Sequence, residues 1–300
     1  MTMTRTATWA GLGTDVSTCK DVSEILKTAG LDYEVSKSEI LLPSGKVIPD
    51  RVATVKDNGD YIGVVSKSYQ IYQNNEAFEF VSDIPNVSIV RAGETKSGMV
   101  YLIGKLPETT VLQDTFQPYV IFQTSHNGKY NVRATICPLR IVCQNQFAFS
   151  FKQMRNTIDI RHSRQLPTKV AQAHELIVDT AQYMTGFTNT AEELAMLKLH
   201  SANSVYEIID AFFDSTKEIT ERQQKSIQEK KEHFIRCYEA DDNSNFTGTV
   251  WGAVNGFADF LTHPEKRKKT KTAAESQFMT VTFDPTAMAR FLEIAKSHAF

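Results

Sequence analysis

The apolar residues change period part-way along the chain, and that change constrains the fold more than any other feature. Up to about residue 145, apolar and polar residues alternate in runs closed by turn-forming residues, the pattern of half-buried strands. Pro43-Ser44-Gly45-Lys46 lies between apolar runs, and Asp57-Asn58-Gly59-Asp60 separates VATVK from YIGVV. An Asn-Gly pair supplies the positive φ that a tight hairpin needs. VSIVRAGETKSGMVYLIGKL predicts a second hairpin around Glu94 to Gly98, and YVIFQTSHNGKYNVRATICPLRIVC a third around His126-Asn127-Gly128-Lys129. Beyond Asn145 strand signals nearly vanish and helical spacing takes over.

Within the first half, residues 15 to 30 predict a short helix capped by Asp21 or Ser23 and stopped by Gly30. Asn74 or Asn75 caps another, with Ala77, Phe78 and Val81 facing inward. The second half predicts helices over PTKVAQAHELIVDTAQYMTGF, with Gly186 near its end, and AEELAMLKLHSANSVYEIIDAFFDS. Others follow over EITERQQKSIQEKKEHFIRCYEA, GTVWGAVNGFADFLTH (ending near Pro264) and DPTAMARFLEIAKSHAF. The expected class is α+β: a twisted antiparallel hairpin-built sheet packed with helices, followed by a helical C-terminal half. The expected division is an antiparallel sheet module with crossing helices over 1–150 and a helical region packed on it over 151–300.

Composition narrows the function classes. A 300-residue chain with 41% hydrophobic and 23% charged residues is globular rather than disordered or collagen-like. No window of about 20 residues is free of charge, so a soluble cytoplasmic protein with no membrane partner is expected. Cys19, Cys137, Cys143 and Cys237 form neither a CxxC pair nor a zinc spacing, and Cys137 and Cys143, in an apolar stretch, read as buried inert thiols, as a reducing cytosol permits. There is no GxGxxG after a strand, no GxxxxGK[ST], HExxH or GxSxG, and no His pair at i,i+4. No catalytic residue, metal or cofactor is therefore expected. Cys143 with His162 forms a conceivable nucleophile and base, but neither residue sits in a signature, and core cysteine with surface histidine is the favoured reading.

With 33 basic against 35 acidic residues, the chain is no general polyanion binder. Its positive charge is local. Lys152, Arg155, Arg161, Arg164 and Lys169, with His162 among them, face only Asp159 in a segment at the junction of the two halves. Lys266, Arg267, Lys268, Lys269 and Lys271 form a second tract. Basic side chains held in a groove neutralise phosphates, and Arg133 and Arg140 on the preceding strand extend the candidate set. Phe147, Phe149 and Phe151 alternate just before Lys152, and read as core rather than as a platform for bases.

WAGLGTDVS at 9 to 17, AGLDYEV at 29 to 35, ICPLRIVCQNQF at 136 to 147, Arg161-His162 ahead of a helix and GTVWGAVNGFADFLTH at 248 to 263 resemble the phage/plasmid-like proteins grouped as domain of unknown function 932. The resemblance runs from about residue 9 to residue 295, and its most specific pieces are RIVCQN and GTxWGxxN. The family's usual Asn-Thr-Leu after the cysteine reads Asn145-Gln146-Phe147 here. Its usual Trp-His-Gly-Leu-Gly reads Trp9-Ala10-Gly11-Leu12-Gly13, so that histidine is no universal catalytic group. The family brings no established activity, only membership and a mobile-element context. The expected architecture is also similar to the core of Rad-fifty-two-type single-strand annealing recombinases, a likeness of fold alone.

The leading expectation is a non-enzymatic single-stranded DNA-binding and annealing protein that acts through a basic groove as a homo-oligomer. The alternative is a phage or plasmid effector that binds and inhibits a host defence complex.

Overall fold

The turn signals of the first half are realised as antiparallel ladders, but in two sheets rather than one. In the computed structural model, the described residues are 11–79, 81, 84, 86–142, 144–147, 157–162, 180–214, 219–264 and 271–300. The Pro43 to Lys46 and Asp57 to Asp60 turns join β2 (Val35–Leu41), β3 (Val47–Lys56) and β4 (Tyr61–Ser66) into a separate three-stranded sheet. The larger sheet has eight strands, with the path β1 (Thr14–Asp15), β5 (Ser88–Glu94), β6 (Met99–Lys105), β8 (Asp114–Ser125), β9 (Val132–Arg140) and β10 (Asn145–Gln146). β7 (Thr109–Val111) adds to β8, and β11 (Thr157–Ile160) to β9.

Capping chemistry sets the early helices. The Asp21 carboxylate accepts from the Glu24 N–H at 2.8 Å to start α1 (Val22–Ala29), and Gly30, at φ 66°, ends it. α2 (Asn74–Phe78) is capped one residue earlier than the sequence suggests. Gln73 takes the cap, its N–H donating to Glu76 Oε2 at 3.0 Å, while the Asn74 side chain turns inward.

The large sheet is covered on both faces. Val100, Leu102, Val120 and Phe122 pack under α1 and α2 with Ile25, Leu26, Ala77 and Phe78. Met99, Tyr101, Ile103, Ile121 and Leu139, alternating with them, pack against Phe278 of α7 (Lys271–Phe283). That helix carries no amphipathic signal.

The remaining helices are α3 (Thr180–Met196), α4 (Ser204–Phe213), α5 (Glu221–Tyr238), α6 (Val250–Thr262) and α8 (Thr286–Ser297), with a 3-10 turn over Asp241–Phe246. α3 runs through Gly186 instead of stopping there. α6 is buried along nearly its whole length, which suits an all-round apolar helix. A Cβ at Gly252 would stand 2.1 Å from the Phe246 carbonyl oxygen, so glycine lets the 3-10 turn close onto α6. Phe116, Ile136 and Phe147 from the strand region share one core with Phe187 and Trp251, and Phe147 stacks on Trp251 with ring centroids 5.7 Å apart. The reading of Phe147 as core therefore holds; Phe149 and Phe151 lie outside the described residues.

Candidate functional site

β11 places the middle of the basic segment on the rim of the large sheet. Thr157, Ile158 and Ile160 are β-branched and suit a strand. Thr157 stands opposite Thr135 and Ile160 opposite Val132, on the side of β9 away from β8. β10 takes the other end of that side, with Asn145 opposite Arg140. β11 is thus the outermost strand at this rim among the described residues.

Asp159, the single acidic residue of the segment, is taken up by β9. Its carboxylate accepts from Arg133 Nε at 3.0 Å, from the Nη2 of the same guanidinium and from the Asn131 amide. Arg161 follows the strand directly and is exposed. Lys152, Arg155, Arg164 and Lys169 lie outside the described residues, as do Lys266, Arg267, Lys268 and Lys269.

Two of the candidate phosphate contacts are assigned differently by the geometry. The Arg140 side chain is only 3% exposed and pairs with the Asp114 carboxylate, Nε at 2.9 Å and Nη2 at 2.7 Å. Nη2 also donates to the Asp242 carbonyl at 2.6 Å, and the guanidinium lies 5.7 Å from the Phe246 ring centroid. Arg140 is a tie between β9 and the 3-10 turn. His162 stacks on Tyr69 at 4.7 Å, with Nδ1 3.1 Å from the Gln70 carbonyl oxygen. A carbonyl only accepts, so Nδ1 carries the proton. Burial lowers the pKa of this ring, which disfavours the cationic form.

His162 belongs instead to a polar seam between the two sheets that has no local sequence signal. Thr54 Oγ1 of β3 donates to the His126 carbonyl at 2.7 Å, and the Tyr69 hydroxyl to the Ser125 carbonyl at 2.8 Å. The Asn74 amide nitrogen donates to the Leu31 carbonyl, which leaves Asn74 Oδ1 to accept from His126 Nε2 at 2.8 Å. Among the described residues, His126 Nδ1 and His162 Nε2 are buried without a hydrogen-bond partner. Burial pushes the His126 pKa down to about 4, with the neighbouring His162 and Lys56 acting in the same direction. Lys56 Nζ meets Glu94 Oε2 at 3.0 Å and lies 3.7 Å from the centre of the Tyr33 ring. The seam holds two neutral imidazoles, poised to take protons only by burying charge. Among the described residues no group of three His, Cys, Asp or Glu side chains is placed to hold a metal ion. Burial raises the Cys137 thiol to about 11, as expected of an inert core cysteine.

The two most specific sequence pieces meet in space. β9 ends on the Arg140 and β10 begins on the Asn145 of RIVCQN, and the next residue, Gln146, donates its N–H to Thr262 Oγ1 at the end of α6 at 3.1 Å. GTVWGAVN starts that same helix: Thr249 Oγ1 accepts from the Gly252 N–H at 3.0 Å, and Trp251 enters the shared core. A family model described as domain of unknown function (DUF932) matches residues 61–280. The chain belongs to the DUF932 family. The matched span contains the rim, the Arg140 tie and most of the seam, while α1, β2 and β3 precede it. No curated protein and no solved structure matches this DUF932 chain, so no structural relative carries the likeness to the Rad-fifty-two-type proteins. Among the described residues no helix is long and apolar enough to cross a membrane.

Proposed function

We propose that this DUF932 protein is a phage- or plasmid-encoded single-stranded DNA-binding protein that promotes strand annealing without covalent chemistry, as an assembly of identical subunits. The pairing of β11 with β9 is the observation that supports this reading. It anchors at a sheet rim the middle of a segment with Lys152, Arg155, Arg161, Arg164 and Lys169, whose single carboxylate, Asp159, is already neutralised by Arg133. Such a cluster attracts phosphates despite a formal net charge of −2 for the whole chain. Backbone contacts carry no base readout, so the bases stay available to a complementary strand. Arg140 and His162 take no part.

Fluorescence anisotropy with a labelled oligonucleotide at low salt tests binding, and fluorescence transfer between complementary labelled strands tests annealing. The expected result is binding and accelerated annealing, both lost when Arg161→Glu and Arg164→Glu are combined while the circular dichroism spectrum is retained. No binding at low salt, or equal binding by the charge-reversed variant, overturns the reading.

A further inference from the structure

The hairpin of β2 and β3 ends in apolar side chains that no described residue of its own subunit covers. From residue 36 to residue 51 every side chain is exposed except the half-buried Ile40 and Ile48. Leu41 is 61% exposed, Leu42 46% and Val47 45%. The tip is stiff: Leu41 stands opposite Val47, the Leu42 N–H donates to the Lys46 carbonyl and the Gly45 N–H to the Leu42 carbonyl, each at 2.8 Å. From Ile40 to Pro49 the single charge is Lys46. A stiff apolar projection with one positive charge suits a pocket with apolar walls and a negative rim.

The same subunit carries such a pocket elsewhere. A cleft of about 500 Å³ opens between α1, the segment before β2, and α2. This volume lies within the range of sites that hold a compact ligand. Asp21, Asp32, Glu34 and Glu79 line it together with the half-buried Val22 and Tyr33, and among the described residues no Lys, Arg or His does. The tip cannot reach the cleft of its own subunit. Glu34 lines the cleft, β2 begins at the next residue, and its six steps from Val35 to Leu41 carry the tip about 20 Å away at 3.3 Å per residue.

We infer that the hairpin tip of one subunit docks in the acidic cleft of a second copy of this chain. Leu41 and Leu42 meet the half-buried Val22 and Tyr33, and Lys46 meets the carboxylates of the rim. Each subunit offers a tip and a cleft on different surfaces, so the contact is head-to-tail and propagates into a closed ring or a filament. Among the described residues, neither the tip nor the cleft includes a residue of the basic segment.

Sedimentation velocity over a concentration series tests this without DNA, so its outcome is separate from that of the binding assay. The unaltered chain is expected to assemble beyond a monomer. A tip variant, Leu41→Ser with Leu42→Ser, and a cleft variant, Asp32→Lys with Glu79→Lys, each weaken assembly by about tenfold or more. All four positions are exposed, so each variant keeps the spectrum and melting temperature of the unaltered chain. An equimolar mixture gives dimers and nothing larger, because one intact tip then meets one intact cleft. A monomeric unaltered chain, or a mixture that stays monomeric, overturns the inference. Assembly lost in the tip variant alone points to tip-to-tip pairing and also overturns it. So does assembly lost in neither variant.

Discussion

At the scale of single residues, two side chains chosen for their charge prove to act through burial. Arg140 holds the Asp114 carboxylate and the Asp242 carbonyl together. Its removal leaves the half-buried Asp114 carboxylate without that guanidinium, so Arg140→Ala is expected to lower unfolding free energy by about 3 kcal/mol in urea titrations. DNA binding by the folded fraction is expected to be unchanged. His126 makes a second prediction, with a sign set by its pKa of about 4 against an ordinary imidazole value of 6.5. The unfolded chain binds the extra proton first, so stability is full above pH 6.5 and falls as pH drops toward 4. The expected loss is about 3 kcal/mol over that window. His162, shifted the same way, adds to it. His126→Gln is expected to flatten this part of the stability profile; an unchanged slope would show that carboxylates alone set it.

At the scale of elements, what was legible in the sequence followed from local chemistry. Asp21, Gly30 and Asn58-Gly59 act through their own backbone neighbourhood, and the structure puts a cap, a helix stop and a hairpin turn where they stand. The turn between β7 and β8 shows the limit of that logic. Leu112 and Gln113 hold φ of 48° and 71° without a glycine, a conformation the flanking ladder imposes. Gln113→Gly relieves a left-handed residue and is expected to stabilise by about 1 kcal/mol, read as a raised melting temperature. β11 and α7 were not legible because each exists through its partner. Four residues form a strand only against β9, and α7 is fixed through Phe278 against the second face of the sheet. The candidate site divides along the same line. Charge clustering marked the segment around Arg161, but the burial of Arg140 and the pairing of His126 with Asn74 depend on chain segments distant in sequence.

At the scale of the whole molecule, the core that unites Phe116 and Phe147 with Phe187 and Trp251 ties the strand half to the helical half. The two halves are accordingly expected to melt in one transition. Phe147→Ala is expected to cost about 4 kcal/mol and to shift that transition as a unit. Two separate transitions in calorimetry would contradict the shared core. The same packing leaves residues 157–162 at a sheet rim and the hairpin tip exposed, the places where the proposed DNA contact and the proposed self-association lie. The most direct test of the DNA-binding claim is the salt dependence of oligonucleotide affinity. Five cations of the segment acting on phosphates predict a slope of log affinity against log salt of about −3.5, at about 0.7 per neutralised phosphate. Combining Arg161→Ala with Arg164→Ala is predicted to reduce that slope by about 1.4. Affinity that does not change with salt, or a slope left unaltered by those substitutions, would contradict the account.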